Sequence, residues 1–124
     1  MSWEYCCPRC KVMLNPTRSV ILCAAHKKTR VMIGLSPQLG KYNVYLPPGV
    51  EAKDGQVWDF SCPMCHESLR TDPDSKLCEL GLCVEGDNIK VLFSRVAGEH
   101  ATFVINKEKK ARKYGEHKDR YDVG

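Results

Sequence analysis

Apolar residues in this chain fall in short runs with the spacing of strands. Residues 31–35 (VMIGL) form a compact apolar run. Residues 41–46 (KYNVYL) alternate, with Tyr42, Val44 and Leu46 on one side. Ser36-Pro37-Gln38-Leu39-Gly40 between them has turn composition, and Pro47-Pro48-Gly49 ends the second run. Asp54-Gly55 is a two-residue hairpin signal between residues 50–53 and 56–60. The pattern returns later, with a strand over 89–93, a turn at 97–100 and a strand over 101–105. Asn106 then predicts a helix over about 107–114, because its side-chain oxygen can accept from the first free amides of a helix. Gly115 weakens any continuation.

A length of 124 residues allows one ordinary domain or two very small ones. Modules of about 50 residues bury too little surface to fold without a staple. The eight cysteines are the candidate staples. The first residues lack the basic and apolar regions of a secretory signal, and no apolar run approaches the roughly 20 residues of a membrane span. The expectation is a cytoplasmic protein without a membrane segment, whose paired cysteines bind metal rather than each other.

Two tetrapeptides carry the chemistry. Cys7-Pro8-Arg9-Cys10 recurs fifty-five positions later as Cys62-Pro63-Met64-Cys65. Two thiolates at this spacing reach one tetrahedral ion, and a proline after the first cysteine pre-sets the turn. Each knuckle supplies two of four ligands. Twelve residues after Cys10 come Cys23 and His26, and twelve residues after Cys65 come Cys78 and then Cys83. Leucine recurs four residues beyond each knuckle, at Leu14 and Leu69. The matched gaps predict an internal repeat with two zinc ions. One ion is held by Cys7, Cys10, Cys23 and His26, the other by Cys62, Cys65, Cys78 and Cys83. The rival arrangement brings both knuckles to one ion and leaves the other four as core residues or a mixed site. Cys6 is left over, as a buried thiol or an alternative ligand.

Both blocks resemble zinc ribbons, the rubredoxin-like group in which two knuckles on adjacent β-hairpins clamp one metal. The resemblance rests on CPRC with CAAH, and on CPMC with Cys78 and Cys83. It implies a mainly β, metal-stapled fold of two tandem modules, over residues 1–61 and 62–106, followed by a basic helix or tail over 107–124. Where that group has glycine after a knuckle, this chain has Lys11 and His66. The departure argues against a rubredoxin-type iron redox site, the alternative cofactor, and leaves a structural zinc site.

Charge refines the picture only slightly. The formal charge is +4, and seven thiolates around two zinc ions would bring it to about +1. Residues 107–120 carry seven Lys/Arg against three Asp/Glu, whereas residues 62–106 carry four against seven. Lys109, Lys110, Arg112, Lys113 and Tyr114 are the candidate partner-binding residues. HExxH, P-loop and GxGxxG motifs are absent, and four-ligand zinc leaves no open position for substrate. The expected function is therefore a non-catalytic interaction module for a protein partner. Nucleic-acid binding through Lys27, Lys28, Arg30 and the C-terminal basic cluster is the alternative.

Overall fold

The computed structural model describes residues 4–16, 18–38, 41–71, 76–83, 89–106, 108 and 110–121. Among the described residues nine strands run in chain order: β1 (Tyr5–Cys6), β2 (Val20–His26), β3 (Thr29–Leu35), β4 (Val44–Tyr45), β5 (Asp59–Ser61), β6 (Leu77–Leu82), β7 (Lys90–Ser94), β8 (Thr102–Ile105) and β9 (Ala111–Tyr114). A single 3-10 turn covers Lys118–Arg120. All named pairings are antiparallel. They build one sheet in the order β4-β3-β2-β5 and another in the order β1-β6-β7-β8-β9.

The predicted β character holds, and the strands at 31–35, 89–93 and 101–105 fall on β3, β7 and β8. Strands β1, β2 and β6 were not anticipated. β2 alternates buried Val20, Leu22 and Ala24 with half-buried Ile21, Cys23 and Ala25, as a strand with one face on a core requires. β6 likewise buries Leu77, Cys78 and Leu80. The Asp54-Gly55 turn forms, with Gly55 at φ 92°, but it does not join two paired strands. Residues 59–61 leave it to pair with β2 instead.

The expected C-terminal helix is corrected to a strand. Asn106 does bind free amides, accepting at Oδ1 from the Glu108 and Lys110 N–H groups at 3.0 Å each. The segment then turns back rather than coiling, because an Asn side chain satisfies a tight turn as well as a helix start. β9 closes on β8, with Phe103 opposite Lys113 and Val104 opposite Arg112.

The two sheets share an order. Reading across from β4 and from β8, each presents one strand, then a hairpin, then a short strand leading into a knuckle, with β9 added outside β8. The short strands are exchanged. β1 comes from the N-terminal half yet pairs with β6, Tyr5 opposite Leu82. β5 opens the second knuckle yet pairs with β2, Cys23 opposite Ser61. The boundary expected near residue 61 is therefore crossed by both sheets.

Val20, Leu22, Ala24 and Ile33 of one sheet and Leu80, Val91 and Val104 of the other join one buried cluster with Tyr5, Trp58 and Phe60. Leu14 and Leu69, 1% and 0% exposed, sit in that cluster just beyond the two knuckles. Full burial of a leucine contributes about 1.5–3 kcal/mol, so this pair anchors both knuckles to the core. The other face of the five-stranded sheet carries a second cluster of Leu77, Leu92, Ala101 and Phe103. Tyr121 packs edge-on against Phe103 there, with ring centres 5.9 Å apart. Glu99 fastens this end of the chain, accepting from Ser94 and Tyr121 and pairing with Arg120 at 3.1 Å.

Candidate metal centre

Each CPxC segment is a turn built by the same bonds. The Lys11 N–H donates to the Cys7 carbonyl and the His66 N–H to the Cys62 carbonyl, both at 3.0 Å. Cys7 and Cys62 in turn donate their N–H groups to the carbonyls of Val12 and Glu67. Further along, Leu14 donates to Tyr5 and Leu69 to Phe60, at 2.7 and 2.8 Å. Lys11 and His66, where a ribbon would have glycine, lie at φ 68° and 63°. Both knuckles therefore make the left-handed step without the residue that makes it at no steric cost.

The turns aim amides at sulfur. Arg9 and Cys10 N–H groups point at Cys7 Sγ from 3.3 and 3.4 Å, and the Met64 N–H points at Cys62 Sγ from 3.3 Å. Cys7 and Cys62 are fully buried, whereas Cys65 is half-buried and Cys10 exposed. The Val12 amide is the main influence that brings the Cys10 thiol down to about 7 against its partial desolvation, and the neighbouring cysteines add to it. Burial pushes the Cys62 thiol up to about 12, against the Cys65 and Met64 amides that favour its thiolate.

The strand exchange brings the knuckles face to face. Cys7 Sγ lies 3.8 Å from Cys65 Sγ, and Cys10 Sγ lies 3.6 Å from Cys62 Sγ. All four sulfurs lie within 4.8 Å of one another. Arg9 reaches across to the Ser68 carbonyl at 3.5 Å, a second tie between the knuckles. This group can hold a metal ion. Among the described residues no second group of three or more such ligands exists.

The partition into two four-ligand sets is therefore not what the structure assembles. Cys23 sits on β2 with its thiol 3.2 Å from the Met32 sulfur, its cross-strand neighbour. His26 ends the same strand, with Nδ1 3.0 Å from the Val57 carbonyl oxygen and its ring tilted on Trp58. Cys78 is fully buried in the core, and burial pushes its thiol up to about 12 even beside the Arg95 charge. A neutral thiol of that kind is a small apolar core residue. Cys83 is joined to Cys6 in a disulfide that ties β1 to the end of β6. That bond went unanticipated because the two cysteines lie 77 positions apart and only strand pairing brings them together.

Of the candidate partner-binding residues, Lys109 lies outside the described residues. Lys110 is exposed, and Arg112 and Lys113 are exposed on the edge strand β9. Charges there also guard an edge against strand addition. Tyr114 is half-buried against the main core. Among the described residues no helix is long and apolar enough to cross a membrane. Compared with protein-family models, curated proteins and solved structures, the chain matches none of them.

Proposed function

We propose that Cys7, Cys10, Cys62 and Cys65 hold a single zinc ion that joins the two halves of a duplicated zinc-ribbon chain. The protein is then a non-catalytic module that docks on a larger protein or assembly. The observation that carries the metal assignment is the four sulfurs within 4.8 Å of one another. A tetrahedral ion with metal–sulfur bonds of about 2.3 Å spaces its sulfurs about 3.8 Å apart. The cross-knuckle distances of 3.6 and 3.8 Å fit that edge. A four-thiolate set suits zinc or iron. With all four positions filled by protein, the ion has no place for water or substrate and its role is structural.

Native mass spectrometry with elemental analysis tests the assignment. One zinc per chain is expected. It should be lost when Cys7 or Cys62 becomes serine and kept in a Cys23→Ser, Cys78→Ser double variant. Two metals per chain, or loss of metal in that double variant, would restore the separate sites. A coloured, iron-containing product would favour the redox alternative.

The docking reading is supported by one face of the four-stranded sheet. Met32, Gly34 and Tyr45 share it through the β2–β3 and β3–β4 registers. Met32 is 47% and Tyr45 59% exposed. A large aromatic left in solvent beside a thioether is the kind of surface protein partners cover. Capture of a partner from the native host should fail with Met32→Lys and Tyr45→Lys and persist in high salt. Steep loss of binding with salt would instead indicate the nucleic-acid alternative.

A further inference from the structure

Between the two sheets lies a cavity of about 300 Å³. Interiors pack like organic crystals and rarely leave voids larger than a water molecule, so an open cleft of this size between two sheets is a candidate binding site. Its walls come from both sheets: Val20, Ala24 and Ile33 on one side, and Leu80, Val91 and Phe93 on the other. Its exposed lining residues, among them Gln38, Lys41 and Asn43, mark the mouth.

Several polar groups of the lining residues have protein partners, whereas the buried Trp58 Nε1–H has none among the described residues. Tyr5 Oη donates to the Pro37 carbonyl at 2.8 Å. The Tyr42 hydroxyl is 3.0 Å from Thr102 Oγ1, and its ring stacks on His100 at 4.5 Å. His100 Nδ1 is 3.1 Å from a Glu116 carboxylate oxygen. The Arg95 guanidinium donates to the Trp58 carbonyl at 2.8 Å and faces Asp59 at 3.8 Å. A charged ligand carried to the floor would lose its hydration and find these partners already engaged, which is costly. A neutral apolar one would gain contacts with the apolar walls at no such cost.

We propose that this cavity is a binding site for a compact, uncharged, apolar molecule of about two rings, with any polar substituent directed to the mouth near Gln38 and Lys41. The size follows from the volume. About 150 Å³ of apolar cavity accommodates benzene, and about 300 Å³ is the lower end of small-molecule sites. The site is independent of the metal's identity and of the docking face.

The test uses the metal-loaded full chain and prodan, a neutral two-ring naphthalene fluorophore. Saturable binding of one probe per chain is expected. Methyl resonances of Val20, Ile33, Leu80 and Val91 should shift together on titration. Ala24→Phe and Val91→Phe each place a ring in the cavity and should weaken binding at least tenfold at unchanged metal content. Should either variant fail to fold, the methyl map of the unaltered protein decides. Non-saturable binding would overturn the proposal. So would shifts confined to exposed Met13, Met32 and Met64, or equal affinity in folded, filled variants.

Discussion

Replacing Lys11 and His66 by glycine should stabilise the protein. At φ 68° and 63° a residue with a Cβ crowds its own carbonyl, at a cost of about 1–2 kcal/mol. Glycine removes that cost but loses about 0.5–1 kcal/mol more conformational freedom on folding. The net gain is about 0.5–1 kcal/mol per site, or about 3–6 °C in Tm per kcal/mol for a chain of this size. Both side chains are exposed, so little packing is lost. Lys11 also carries a positive charge next to the cluster, and its removal must be separated from the backbone effect. Alanine variants do this, since they remove the same groups but keep the Cβ. The quantity to measure is therefore the glycine-minus-alanine difference in unfolding free energy at each position, in urea with metal saturating. Glycine should be the more stable by about 1 kcal/mol. The single and paired variants together give the coupling between two turns that share one cluster. Glycine equal to or less stable than alanine at both positions would refute a left-handed step after each knuckle.

Three further outcomes are expected. Removing the Cys6–Cys83 disulfide as an alanine pair should cost about 4.5 kcal/mol for a free loop of its 77-residue separation. A metal already joining the knuckles shortens the loop to about 20 residues and lowers that cost to about 3 kcal/mol, so unfolding with and without metal should show the difference. Gly115→Ala should destabilise by more than about 1–2 kcal/mol, because a Cβ at φ 97° would strike the His100 carbonyl. Mass spectrometry should find its metal unchanged. Finally, desolvation raises the Glu99 carboxyl, but bonds from Tyr121, Ser94 and Arg120 prevail and leave it below the usual range. That stabilisation is present above the ordinary carboxylate range and is lost as pH falls through the lowered value. Protection factors of the amides of residues 115–121, corrected for the intrinsic exchange rate at each pH, should fall on acidification, and less steeply in Glu99→Gln.

The legible parts of this chain were its local ones. β7 and β8 announce themselves because their apolar runs flank a turn at Gly98, and hairpin partners lie close in sequence. β2 and β6 hid behind the cysteines in them, which invited reading as ligand blocks rather than as strands whose Cys78 faces a core. The residues of the candidate centre were visible as two CPxC turns, but their grouping entered only as the rival to two separate sites. Equal gaps of twelve are a property of each half alone, whereas the grouping depends on β1 pairing with β6 and β5 with β2. Asn106 was recognised as an amide acceptor, and its chemistry alone does not distinguish a helix from a turn.

The exchanged short strands also set an order of events during synthesis. The first knuckle leaves the ribosome early, yet the partner of its strand is β6. At about 5–20 residues per second, Tyr5 waits about 4–15 s for Leu82. Until the second knuckle follows 55 positions later, Cys7 and Cys10 would offer a metal only half of a ligand set, open to oxidation or to a competing ion. The second knuckle waits for nothing, because β2 is already made when β5 appears. A nascent chain of this design depends on its surroundings to keep the earlier pair of thiols available until the later pair arrives.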